Sequence, residues 1–217
     1  MNERSLKPVI ETLEKLFIKF NERFYNNELQ KPIIAVNPDT TRGAYGWCTG
    51  WKIWSEHGQD INISKMDHVS GNSAKDGGFY EINICAEYLS RSFSEVAGTL
   101  LHEMVHLYNL QIGISDTSRS GKYHNKKFKK VAEQHGLIVK QNNTYGWSIT
   151  QLNDDAINFI NDLGSSQFQL YRLKPPKSKP HSSTRKYVCP TCRCIVRATK
   201  DVYIICGVCG ADFRRED

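Results

Sequence analysis

Between Leu6 and Tyr25 the apolar positions Leu6, Val9, Leu13, Leu16, Phe17, Phe20 and Phe24 recur with the period of an α-helix. This predicts an amphipathic helix, stopped by Asn26-Asn27. Lys31-Pro32 opens a short strand over Ile33–Val36, and a turn-rich stretch, 37–43, leads into an aromatic segment from Ala44 to Trp54. That segment, with Tyr45, Trp47, Trp51 and Trp54, reads as a strand pair or a strand with a bulge. Further strands are expected at Asp60–Ser64 and Phe79–Cys85, joined by a Gly-, Ser-, Asn- and Asp-rich connection from Asp67 to Gly78. Ile82 and Ile84 alternate with Glu81 and Asn83, as in a half-exposed strand. Ser92-Phe93-Ser94-Glu95 has the form of a capping box and opens a helix that runs to about Leu110, before Gly113. Ser115–Lys122 reads as an exposed loop. His124–Gln134 reads as a helix with Phe128, Val131 and Ala132 inward, four lysines outward and Gly136 as its stop. A last helix is expected over Asp154–Leu163, closed by Gly164. Tyr171–Lys186, with three prolines and six basic residues, has little to bury.

The helix after Ser92 departs from simple amphipathicity. Val96, Leu100, Met104 and Leu107 form one apolar stripe, and Ala97, Leu101, Val105 and Tyr108 a second. The remaining stripe is Glu95, Thr99, His102, His106 and Asn109, so an otherwise buried helix turns a polar face towards a cavity. His102 and His106 lie one turn apart on that face, close enough for both imidazoles to reach one metal ion. Glu103, rotated from them by about 100°, can stand over an open coordination position.

Catalytic zinc takes three protein ligands and keeps one position open. A histidine six residues beyond the second, after an intervening glycine, is excluded, because those positions hold Ile112 and Asn109. His124 is the preferred third ligand: it stands at the expected start of the next helix, after a loop long enough to reverse the chain. Glu133 is the alternative. His135 reads as a C-terminal cap, and His57, His68 and His181 as loop residues. Zinc among three neutral imidazoles keeps its full charge and makes water acidic enough to attack a carbonyl near neutral pH. Glu103 would take that water's proton and pass it to the leaving amine. Tyr108, Tyr123 and Tyr145 are candidates for steadying the oxyanion, each equally readable as a packing aromatic.

Several segments together resemble the SprT-like metalloproteases, the group that includes Spartan, the protease of DNA–protein crosslinks. They are Phe24-Tyr25-Asn26-Asn27-Glu28-Leu29, the strand Tyr80-Glu81-Ile82-Asn83-Ile84, His102-Glu103-Met104-Val105-His106, Tyr123-His124-Asn125-Lys126-Lys127-Phe128, and the cysteines of the tail. The resemblance spans about Leu6 to Phe213. It implies an α+β fold: a minimal gluzincin-like metalloprotease domain, with helices packed on a small sheet, followed by a small four-cysteine zinc ribbon. It also implies zinc on His102, His106 and His124, with Glu103 as general base. The loop from Ile112 to Tyr123 is longer than usual for the family.

Composition then separates two parts. The chain of 217 residues carries a net charge of +6, but residues 165–217 hold 11 basic and 4 acidic side chains, whereas residues 1–164 hold 18 and 19. Five of the seven cysteines fall in the last 30 residues. Cys189-Pro190-Thr191-Cys192 and Cys206-Gly207-Val208-Cys209 form two knuckles, each offering two thiolates to one structural zinc. Cys194 is left over, and Ile195–Ile205 is expected to form the hairpin between the knuckles. A segment so short buries little, so metal would supply much of its folding free energy. Arg185, Lys186, Arg193, Arg197 and Lys200 are candidate phosphate contacts, which implies DNA, single-stranded or damaged, as a partner beside the protein substrate. The expected organisation is a protease domain over 1–164, a basic linker over 165–186 and a ribbon over 187–217, with one catalytic and one structural zinc. No run of about 18 apolar residues is present and the N-terminus lacks the pattern of a signal peptide, so the expectation is a cytoplasmic protein without a membrane partner. Two rival functions are a dedicated protease of a regulatory protein, with the ribbon docking protein, and a non-enzymatic DNA-binding zinc protein.

Overall fold

The computed structural model describes residues 4–40, 43–56, 78–164, 167–174 and 184–216. The strand expected at Asp60–Ser64, most of the connection after it, and His57, His68 and His181 lie outside these residues. The fold is mixed α+β, and the chain divides into two compact units, Met1–Leu173 and Lys174–Asp217. No described helix is long and apolar enough to cross a membrane.

The first unit is built on the helix predicted from the capping box. Helix α1 covers Lys7–Tyr25 and α2 covers Phe93–Gln111. Ser92 and Glu95 close the capping box reciprocally, the Ser92 hydroxyl accepting from Glu95 N–H and the Glu95 carboxylate from Ser92 N–H. Both apolar stripes of α2 are sealed: Val96, Ala97, Leu100, Leu101, Met104, Val105 and Leu107 are fully buried. Leu13, Phe17 and Phe20 of α1 join that core. Asn26 and Asn27 leave α1 in the left-handed region, at φ 51° and 60°, which asparagine tolerates better than most side chains.

One small sheet has the order β1-β3-β2, from Ile33–Asn37, Glu81–Cys85 and Gly46–Cys48. Strand β3 runs parallel to β1 and antiparallel to β2, and the aromatic segment rejoins this ladder at the Trp54–Phe79 bridge. The half-exposed strand expected from the alternation of Ile82 and Ile84 is instead buried along its whole length. It is the central strand, and Glu81 is kept inside by accepting the Trp54 indole N–H at 2.8 Å.

A second sheet, β4-β5-β7-β6, was not foreseen in the sequence. Thr117–Ser118 (β4), inside the stretch expected to be a loop, pairs with Tyr123–His124 (β5) just after it. Leu137–Asn142 and Gly146–Leu152 form the hairpin β6–β7. Helix α3 is Lys126–Gln134, so His124 belongs to β5 and not to the helix start, which is capped by Asn125. Helix α4 is Asp154–Asp162, capped by Asn153. After it, Phe168 stacks on Phe93 at 5.5 Å and Arg172 pairs with Glu87, so residues that composition assigns to the linker lie on the first unit.

In the second unit Arg185–Val188, Ile195–Ala198 and Arg214–Glu216 form the sheet β10-β8-β9. The hairpin expected over Ile195–Ile205 does not form. Strand β9 pairs back with β8, while Ile205 bridges Asp212.

Candidate metal centres

Helix α2 points His102 and His106 at His124, which the second sheet delivers. The His124 N–H donates to the Tyr145 carbonyl at 2.9 Å, and its register partner in β7 is Gly146. Gly146 has φ 71°, and a Cβ there would collide with the His124 carbonyl oxygen and lie 2.8 Å from the Tyr123 ring. Only glycine allows β7 so close to the third histidine. The Nε2 atoms of His102 and His106 stand 3.2 and 3.1 Å from Nε2 of His124. A tetrahedral ion with N ligands at about 2.0–2.1 Å separates them by roughly 3.3–3.4 Å.

The three Nε2 atoms could hold one metal ion, and the outer nitrogens bear on how two of them face it. His106 Nδ1 lies 2.7 Å from Oδ2 of Asp116, and an ionised carboxylate can only accept, so the proton is assigned to Nδ1 and Nε2 is bare. His102 Nδ1 lies 2.9 Å from the Thr150 hydroxyl, which fits the same tautomer. Bare lone pairs facing each other at this distance repel, and a proton or a metal ion among them relieves the repulsion. Phe128 closes the back of the group, with ring centroids 4.8, 4.7 and 4.6 Å from His102, His106 and His124.

Burial and then the two neighbouring imidazoles hold His102 well below its ordinary range, while burial and His106 push His124 down to about 4. Burial also lowers His106, but the hydrogen bond and charge of Asp116 outweigh it and leave this histidine raised. Glu103, only 5% exposed, is pushed up to about 7 by burial, with the Cys48 backbone N–H acting in the opposite direction. A carboxyl group poised there can take up and release a proton near neutral pH. Strand β2 runs over it: a Cβ at Gly46 would lie 3.4 Å from Cγ of Glu103.

Glu133, the alternative ligand, is exposed and lies 3.7 Å from Lys129, and His135 caps α3. Tyr108 belongs to an aromatic cluster with Tyr25 and His135, meeting both rings at a tilt, Tyr123 lies under Arg119, and Tyr145 is exposed. Asp116 and Thr150 were missed. Asp116, 6% exposed, also accepts from Asn109 at 2.9 Å. Ligating histidines nearly always give their second N–H to a carboxylate or another oxygen, and that rule was the available signal.

The second unit gathers Cys189, Cys192, Cys206 and Cys209, whose sulfurs all lie within 4.8 Å of one another. The Cys192 and Cys206 sulfurs are 3.7 Å apart, against about 3.8 Å across a tetrahedral site with Zn–S near 2.3 Å. Backbone N–H groups of Cys192 and Thr191 favour the Cys189 thiolate and lower it to about 7. Each knuckle ends in a left-handed residue, Arg193 at φ 61° and Gly210 at φ 68°. Cys194 stays outside the cluster and contributes its carbonyl to Cys189 N–H. Arg185 and Lys186 are paired with Asp201 and Glu216 inside the unit, whereas Arg193, Arg197 and Lys200 are exposed.

No curated protein and no solved structure matches the chain. The family model of the SprT-like family matches residues 13–145, more than half of the chain and including His102, Glu103, His106, Asp116 and His124. The chain therefore belongs to the SprT-like family, in general a family of zinc metallopeptidases.

Proposed function

We propose that the chain is a zinc-dependent endopeptidase acting on proteins bound or crosslinked to DNA. His102, His106 and His124 would hold the catalytic ion, Glu103 would be the general base, and the four cysteines of the second unit would hold a structural zinc. The observation that carries this reading is the convergence of three imidazole Nε2 atoms, close enough to hold one ion, beside a buried carboxyl group poised near 7. Zinc bound there would supply the positive charge that polarises the scissile carbonyl and makes water acidic. Glu103 takes the proton from water and returns it to the leaving amine; its burial keeps it basic enough for the first task and acidic enough for the second. Asp116 and Thr150 fix the imidazole orientations. Strand β2 is an outer strand of its sheet, and its edge near Glu103 suits an extended peptide.

The decisive experiment compares wild type with Glu103→Gln. The variant should retain two equivalents of zinc and lose cleavage of a casein-type substrate by about 100-fold or more. Persistent cleavage would sink the mechanism. Single-stranded DNA should stimulate the wild type.

The second unit also supports its rival reading as a protein-docking module. Val208, Tyr203, Ile205 and Ile195 are 89%, 76%, 58% and 55% exposed, an unusual apolar display. Cleavage unaffected by DNA, together with no DNA binding at low salt, would favour that reading.

A further inference from the structure

The first unit carries a second cationic surface, separate from the tail and from the triad. Helix α3 has Lys126, Lys127, Lys129 and Lys130 within nine residues and no acid in its first turn. Lys126, Lys129 and Lys130 share one face through their i,i+3 and i,i+4 spacing, where like charges destabilise an isolated helix by about 0.2–0.5 kcal/mol per pair. Lys126 and Lys127 also oppose the helix dipole. The partner on the helix itself is Glu133, 3.7 Å from Lys129, while Lys126 and Lys130 have no ion pair among the described residues. This is a costly arrangement in a segment where residues 1–164 together carry net −1.

The surface is also shaped. Lys126, Lys129, Lys130, Glu133, Gln134 and Trp147 line a shallow open depression of about 590 Å³. Lys129 Nζ sits over the Trp147 ring, 4.2 Å from its centroid, so the indole of β7 holds one ammonium group in place. Three ammonium groups around an open depression suit a string of phosphates, and strong positive charge with no donor fork points to phosphate contact without base readout.

We propose that this face of α3, with Trp147, binds the phosphate backbone of a nucleic acid, as a contact on the metallopeptidase unit independent of the ribbon. The site lies next to the histidine triad in the chain, since α3 begins two residues after His124 and carries Phe128 against all three imidazoles. The proposal requires no proteolysis and is tested by binding.

The probe is a fluorescent oligo-dT, titrated by anisotropy against the full zinc-loaded chain over a range of salt concentrations. The double variant Lys126→Gln/Lys130→Gln should bind about ten-fold more weakly at low salt. Its log–log salt slope should be shallower by roughly 1.4, two phosphates at about 0.7 each. Lys15→Gln/Lys19→Gln, the same charge change on the exposed face of α1, serves as the control and should bind nearly as wild type. Trp147→Leu should weaken binding less than the double variant. Equal effects of the α3 and α1 pairs would reduce the result to net charge and overturn the site. Competition by polyglutamate as effective as unlabelled oligo-dT, at matched charge, would overturn it in favour of an acidic protein partner. The α3 variant relieves like-charge repulsion, so its melting temperature should not fall, and lost binding cannot be blamed on unfolding.

Discussion

At the scale of single residues, the histidine triad depends on groups outside it. Asp116 sets the tautomer of His106 through a 2.7 Å contact and is itself held by Asn109. Asp116→Asn should therefore lower zinc affinity about 10–100-fold in a chelator competition while leaving the fold intact. An unchanged affinity would show that His106 needs no such partner. His135 provides a titration distant in role from zinc binding. Its ring stacks on Tyr25 at 4.3 Å and donates from Nδ1 to the Val131 carbonyl at 2.7 Å, and burial holds it below the ordinary 6.5. The unfolded chain then binds the proton first as pH falls below 6.5, so the neutral folded form contributes stability that is present above 6.5 and lost on acidification. The melting-temperature advantage of wild type over His135→Phe should shrink as pH drops through that window; a constant difference would refute the assignment.

At the scale of elements, β7 is the least conspicuous and the most consequential. It supplies Thr150 to His102, and Gly146 lets it approach His124. Gly164 offers a matched control, with φ 65° and open space where a Cβ would go. Gly164→Ala should cost only the left-handed penalty of about 1–2 kcal/mol. Gly146→Ala should cost more, through its collision with the His124 carbonyl and the Tyr123 ring, and should also weaken zinc binding. Equal effects on both measures would show that β7 does not position the ligand. The helices were legible in the sequence because their apolar positions repeat with one period and their ends carry caps, as at Ser92 and Asn153. The hairpin β6–β7 was not: Leu137, Ile138 and Val139 put apolar residues on both faces of β6, and in β7 Trp147 and Ile149 alternate with Ser148 and Thr150 while the buried Gly146 and Leu152 lie on the opposite face. For the same reason Asp116, one carboxylate in a polar stretch, could be recognised only from the histidine it holds. In the ribbon, the aliphatic run after Cys194 suggested a local hairpin, but its first half pairs with a basic strand upstream of the first knuckle. Sequence spacing therefore brought out the histidine and cysteine clusters better than the strands that hold them.

At the scale of the whole molecule, the two units stand on different thermodynamic footings. In the first, the core joins α1, α2, α3, α4 and both sheets, with Leu13, Phe20, Ile82, Leu100, Met104 and Phe128 fully buried. Fully burying one such side chain contributes about 1.5–3 kcal/mol, so the expectation is that this unit folds without an ion. In the second, the buried apolar residues among the described ones are Tyr187, Val188 and the cysteines Cys189 and Cys206, while Tyr203, Ile205 and Val208 are exposed. Structural zinc in small domains contributes on the order of 10–16 kcal/mol, which exceeds what those few side chains can supply. Removing metal should therefore split the molecule's behaviour. On dialysis against a strong chelator, amide resonances of 184–216 should collapse to disordered positions, while those of α1, α2 and β3 keep their dispersion. The remaining thermal transition should fall by no more than the linkage value for the catalytic ion, about 4 kcal/mol at free zinc 1,000-fold above its dissociation constant. Returning one equivalent of zinc should show which site is tighter, because the ribbon must refold on binding whereas the triad waits on a folded frame. If chelation leaves the second unit dispersed, its sheet is stable without metal and the four cysteines are not its main source of stability. If chelation unfolds both units together, the first depends on zinc for its fold as well as for chemistry.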